Sequence, residues 1–283
     1  MQQITAKKTD AKEPGTTRQT NYNIHTKLLF FIAISLLLFP PALFAREKTD
    51  TLKILCYNIR FGELASLEEL ASFIREQDPD LVALQEVDCK TYRERAPHQN
   101  GKDFITELGF RTGLLSAYGK TIDYAGGYYG IGILSKYPFA SVERIFLPKT
   151  ENGKEQRAIL VADVETADKQ YITFASTHLD YTNTEERQLQ VCRLNEILRK
   201  KATPVIVCGD FNARPDSKEI TSGMADWKLL DDSELTVPAK APRYKIDYIY
   251  GYPANKWRVI ESETISVQLS DHLPVSALIE LEQ

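Results

Sequence analysis

The sequence is poor in the residues that would suggest thiol chemistry or a soft metal site. Of its 283 residues four are cysteine and four are histidine. Cys56, Cys89, Cys192 and Cys208 fall at no metal-ligand spacing; Cys56 and Cys208 sit in apolar runs and read as core thiols, with a disulfide left open. After residue 50 there is no Pro-, Gly- or Ser-rich linker, no internal repeat and no low-complexity tract, so one domain over 50–283 is the simplest organisation. A basic excess is missing too. Lys and Arg number 35 against 39 acidic residues, and residues 1–45 hold five of the basic and two of the acidic ones, leaving 30 against 37. Phosphate contacts dominate the affinity of polyanion binders, so this balance argues against a dedicated duplex-DNA protein.

Charge is also absent from residues 28–45, an apolar run that follows Lys27. Pro40-Pro41 breaks it and Leu43-Phe44-Ala45 closes it before Arg46, which suits a cleavable export signal better than a span of ~20 apolar residues. Retention as an N-terminal anchor is the alternative, and no cysteine follows the run to support lipoprotein attachment. Residues 1–45 therefore form a polar leader plus signal or anchor. The protein is expected to be exported, periplasmic or extracellular, or membrane-anchored, and to act as a monomer.

What is present from residue 52 onward is alternation of strand-like runs with a few amphipathic stretches. The strand-like runs are 52–58, 80–85, 130–135, 158–165, 171–177, 204–208, 246–250, 257–266 and 275–281. Ser66-Leu67-Glu68-Glu69 has capping-box spacing, with Leu67, Leu70, Phe73 and Ile74 on one face. Asn183 is placed to cap a second helix to about Lys201, with Leu194, Ile197 and Leu198 inward. Many strands and few helices do not fit a regular βα barrel. An α/β sandwich of two face-to-face sheets with helices on the outer faces fits better.

The polar residues at the strand ends carry the chemistry. Asn58 and Glu86 each follow an apolar run and offer hard oxygens where a buried strand ends. His178, in Thr177-His178-Leu179-Asp180, follows another. The run 204–208 ends in Gly209-Asp210-Phe211-Asn212, the most specific phrase in the chain: glycine permits close backbone approach, and Asp210 and Asn212, two apart, can share one side. Asp210 suits holding a water, and Asn212 supporting a phosphate or a cation. Asp247 lies inside an apolar strand and needs a partner to be buried. His272, in Ser270-Asp271-His272, is the obvious one, and such a pair would fix the imidazole's tautomer and raise its pKa.

Together, Asn58, Leu84-Gln85-Glu86, Gly130-Ile131-Gly132-Ile133-Leu134-Ser135, Thr177-His178-Leu179-Asp180, Gly209-Asp210-Phe211-Asn212, Ile246-Asp247-Tyr248 and Ser270-Asp271-His272 resemble the endonuclease/exonuclease/phosphatase superfamily over about 52–283, in family order. The resemblance implies a four-layer α/β sandwich with two packed, mostly antiparallel β-sheets flanked by helices, and a Mg²⁺ or Mn²⁺ site. It implies Glu86 as principal metal ligand with Asn58 close by and Asp271 near the metal; Asp210 and Asn212 positioning water and phosphate; and Asp247 orienting His272. His178 is similar to the extra histidine of the deoxyribonuclease and sphingomyelinase branches, and Tyr128 resembles a phosphate-contacting tyrosine. Arg187, at the start of the helix after Asp180, is placed to reach a substrate phosphate. Arg60 departs from the abasic-site endonucleases, which carry an acidic residue there, and looks like what phosphatase and lipid-phosphodiesterase branches tolerate.

The expected activity is metal-dependent hydrolysis of a phosphoester by in-line water attack, without a Ser or Cys nucleophile. The acidic balance and export signal favour a small phosphoester or lipid head group. An extracellular nuclease, with nucleic acid as partner, is the first alternative, and a catalytically silent binding module of the same fold the second.

Overall fold

The computed structural model describes residues 51–167 and 169–282; the expected leader and signal or anchor at 1–45 lie outside them. Two six-stranded sheets form. The first has the order β11-β12-β1-β2-β4-β3, from β1 (Thr51–Asn58), β2 (Leu81–Cys89), β3 (Leu115–Tyr124), β4 (Gly127–Ser135), β11 (Trp257–Thr264) and β12 (Val275–Leu281). The second runs β5-β6-β7-β8-β10-β9, from β5 (Phe139–Phe146), β6 (Ala158–Glu165), β7 (Tyr171–His178), β8 (Val205–Asp210), β9 (Lys228–Leu229) and β10 (Asp247–Tyr252). Each sheet is antiparallel except for one central parallel pair, β1 with β2 and β7 with β8. Helices α1 (Leu67–Gln77) and α2 (Phe104–Thr112) cover the outer face of the first sheet, and α3 (Thr184–Leu198) covers that of the second. The short α4 (Lys218–Thr221) follows β8. Among the described residues no helix is long and apolar enough to cross a membrane.

Period-two alternation explains the layers. In β1, Leu52, Ile54 and Cys56 enter the core between the sheets, while Leu55 and Tyr57 pack under the helices of the first sheet. Ile172 and Phe174 of β7, Ile206 and Cys208 of β8 and Ile249 of β10 meet them from the second sheet. Four of these inward rows, continued in step, reach Asn58, His178, Asp210 and Asp247. The polar site is thus the open edge of the inter-sheet core. Cys56 and Cys208 lie in that core as free thiols, and Cys89 and Cys192 are free as well.

Two backbone features sharpen this edge. Gly209 has Thr177 of the parallel neighbour so close that a Cβ would lie 2.2 Å from its carbonyl oxygen; glycine lets β7 and β8 close up where His178 and Asp210 pair in register. In β2 one extra residue interrupts the pairing with β4 between Leu84 and Val87, and within it Glu86 takes φ 56°. Such a bulge re-aims a side chain at the rim of a sheet. It turns Glu86 out of the ladder.

The capping box on α1 is complete. Ser66 Oγ accepts from Glu69 N at 3.2 Å, and Glu69 Oε2 accepts from Ser66 N at 2.8 Å. Ser66→Ala is expected to destabilise the fold by about 1 kcal/mol in urea unfolding, while Glu68→Ala, outside the box, shifts the midpoint by less than half of that.

Candidate active site

Asn58 holds the centre of the site. It is 1% exposed, and its side-chain amide donates to Glu86 Oε1 and to Asp210 Oδ2, each at 3.1 Å. The amide nitrogen must face them, since an oxygen there would oppose two carboxylates. Asn58 Oδ1 turns to the other side and accepts from Arg60 N at 3.0 Å. Asn58, expected close to the metal, bridges the two acids through its amide nitrogen, and its Oδ1, with one hydrogen bond accepted, keeps a second lone pair.

Asp210 is the most contacted of these acids. Its Oδ1 accepts from Asn212 N at 2.8 Å, while Oδ2 lies 3.5 Å from His178 Nε2 and 3.7 Å from His272 Nε2. Burial and the neighbouring Asp247 charge push its pKa up, against His272, the Asn212 N–H and Asn58, which pull it down. Asn212, at φ 48°, donates from its side chain to Leu179 O at 3.1 Å. These left-handed backbones at Glu86 and Asn212 are costly for side-chain-bearing residues and cluster at functional sites.

His272 Nδ1 lies 2.9 Å from Asp247 Oδ2, so the pairing expected from the sequence is present. Burial works against the imidazolium, but the Asp247 charge and hydrogen bond, with help from Asp210 and Asp271, lift the pKa to about 10. With Nδ1 bonded to Asp247, the proton on Nε2 is left for the cleft. His178 is the opposite case: burial, then the Arg157 and His272 charges, hold it well below the ordinary value, and it is a neutral imidazole whose Nδ1 has no partner.

These groups line one cavity of about 350 Å³: Glu86, Asp210, Asn212, His178 and His272 share it with Arg93, Arg95, Arg157, Tyr124, Tyr129 and Tyr181. Asp247 stands behind His272. Two expected residues are placed otherwise. Tyr128 is 41% exposed and packs near Lys120, while Tyr129, 8% exposed, lines the cleft; adjacent residues of a strand face opposite sides, and the tyrosine next door has the inward side. Arg187 is bound to Glu219 at 2.9 Å, to Asp180 O and to Thr184, tying α3 to α4 away from the cleft. Asp271, expected near the metal, is ion-paired with Arg60, which also pairs with Glu63, and its charge acts on both Glu86 and His272.

The chain belongs to the Endonuclease/Exonuclease/phosphatase family, whose model matches residues 55–272. No curated protein matches the sequence. Among solved structures, a conserved protein of unknown function from Enterococcus faecalis is 20% identical, with 82% of this chain and 100% of that one covered at a TM-score of 0.68. The mannosyl-6-phosphatase of Bacteroides thetaiotaomicron is 16% identical over 81% of this chain and 99% of its own, at 0.63. The human Nocturnin catalytic domain with bound sulfate is 21% identical over 84% and 98%, at 0.60. At these identities the likeness is one of fold. Members of the family are typically dependent on a divalent metal.

The donor set fits such an ion. Glu86 faces the cleft with Asn58 as its hydrogen-bond partner, and burial raises its pKa, a penalty that a hard cation would remove. Asp210, Asp247 and His272 also bring ligand atoms within 4.8 Å of one another; there Asp247 Oδ2 is engaged by His272 and Asp210 by Asn58 and Asn212, while Asp247 Oδ1 has no hydrogen-bond partner.

The electrostatics give a direct test. A histidine whose folded pKa lies above its ordinary 6.5 adds stability that is complete below pH 6.5 and is lost as the pH rises through about 10. In the metal-free protein, the His272 ring signals are expected to stay in their protonated position through pH 8, and Asp247→Asn to bring the titration down by more than one unit. A wild-type midpoint near 6.5 in an NMR pH series would contradict the pairing.

Proposed function

We propose that this protein is a divalent-metal-dependent hydrolase of small phosphoesters or lipid head groups that works by in-line attack of water. The observation that carries the reading is the convergence of Glu86, Asp210, Asn212, His178 and the His272–Asp247 pair on one cleft. Mg²⁺ or Mn²⁺ bound at Glu86 would neutralise phosphoryl oxygens. Asp210, its carboxyl shifted upward by burial, accepts the proton of the attacking water. His272 presents its Nε2 proton to a phosphoryl oxygen, Asp247 holds the ring in that orientation, and Asn212 steadies the phosphate. The water oxygen bonds to phosphorus as the ester oxygen leaves and takes up a proton. The reading extends to export, on the apolar run at 28–45.

The neighbours include a protein named as a sugar phosphatase and one holding sulfate, a tetrahedral anion, which supports a phosphoester site. A polynucleotide track would require unpaired cations along the cleft. Arg93 and Arg95 are each tied by two bonds to carboxylates, Asp88 and Glu63, so the small-molecule reading is preferred over the nuclease.

Turnover of an ester panel by the full chain is expected to require Mg²⁺ or Mn²⁺ and to cease in EDTA. Asp210→Ala and His272→Ala should each lower kcat about 10²–10⁴-fold. Undiminished hydrolysis in EDTA, or by both variants, would sink the reading.

A further inference from the structure

Arg157 stands directly before β6 and is 2% exposed, among the largest side chains enclosed in the protein. It lines the cleft, with its guanidinium beside two other cleft residues: Nη2 is 3.3 Å from Glu155 Oε2, and Cζ is 5.9 Å from the Tyr181 ring centroid. Its Nε has no hydrogen-bond partner. A buried guanidinium is normally satisfied on all its edges, because an unpaired donor away from water is costly. Here one edge has a carboxylate at the long end of the range and Nε has nothing. Arg93 makes the contrast: it is bidentate to Asp88, with Phe61 and Tyr124 rings 4.0 and 4.1 Å from its Cζ.

An enclosed, under-satisfied, permanently charged fork in an anion-binding cleft matches the geometry of a phosphate's paired oxygens. The number of donors says which phosphate. A diester presents two non-bridging oxygens, which His272, Asn212 and a cation on Glu86 are enough to cover. A monoester presents a third oxygen and a second negative charge. Arg157 supplies the remaining two-pronged donor and the extra positive charge. Resting on the hydrolase reading above, we infer that Arg157 is a catalytic residue gripping the terminal phosphoryl group, and that the substrates are phosphomonoesters.

The test compares the full chain with Arg157→Lys and Arg157→Met on p-nitrophenyl phosphate and bis-p-nitrophenyl phosphate in Mg²⁺, beside calorimetric titration with inorganic phosphate. The wild type should prefer the monoester by tenfold or more in kcat/KM. Arg157→Met should lose at least 100-fold on the monoester and under tenfold on the diester, and lose phosphate binding. Arg157→Lys, which keeps the charge without the fork, should fall between. Because a buried charge with a single long ion pair and an unpartnered Nε is removed, Arg157→Met should melt no lower than wild type; if it does not fold, Arg157→Lys decides by the same monoester-to-diester ratio. Equal losses on both esters, or a wild type that prefers the diester, overturn the proposal and leave the hydrolase reading standing. If wild type hydrolyses neither ester, the hydrolase reading fails by itself. Phosphate bound by wild type and released by Arg157→Met then still supports the grip, and equal binding overturns it.

Discussion

Everything at the site hangs on one buried amide. Asn58 sits at the end of a strand in the first sheet and donates to Glu86 of the same sheet and to Asp210 of the second. Two carboxylates facing one dry edge would repel each other and resist ionisation; a neutral double donor between them lets both be held close. Among the described residues no other side chain at the strand ends bonds both of these acids; the His272–Asp247 pair also crosses between the sheets at this edge, and deeper in Gln85 and Ser176 bond across the same gap at 3.3 Å. The inter-sheet core sets the spacing, and Asn58 converts that spacing into a defined distance between acid and acid.

The second constraint is an uneven sharing of charge. His272 carries a proton because Asp247 stands behind it, and His178, a few ångströms away on the other side of Asp210, is kept neutral by the same burial and by the cations around it. Two imidazoles flanking one carboxylate therefore take different states from their surroundings, the separation expected of groups with different tasks in proton transfer. At the rim, Arg60 occupies Asp271. An arginine there supplies fixed positive charge at the place where an acidic residue would ask for a further cation.

Much of this was legible because it is periodic or local. The inward rows 52-54-56-58, 172-174-176-178 and 206-208-210 follow from alternation alone, and the capping box of α1 from four consecutive residues. Legibility ended where neither held. Strand β5 is an exposed edge whose residues are nearly all at the surface, so it shows no hydrophobic pattern; β3 mixes polar residues with Gly119, and α2 is short with Gly109 inside it. Tyr128 rested on the family resemblance alone; β4 is buried on both faces over most of its length, so alternation does not separate Tyr128 from Tyr129. The bulge that turns Glu86 depends on pairing with β4. Arg157 lies in a polar stretch, Glu155-Gln156-Arg157, and its one sequence signal is that it directly adjoins the apolar run beginning at Ala158. Its isolation comes from tertiary packing, as do the locked states of Arg93 and Arg187.

If Asn58 sets the site, its removal must damage cation binding and chemistry together while sparing the fold. The direct measurement is a Mn²⁺ titration of the wild type and Asn58→Ala, with turnover and urea unfolding followed on the same samples. The account predicts that Mn²⁺ affinity and kcat both fall at least tenfold, with a loss of stability of about 1–3 kcal/mol from the broken buried hydrogen bonds. Mn²⁺ affinity and turnover unchanged in a folded Asn58→Ala protein would contradict it.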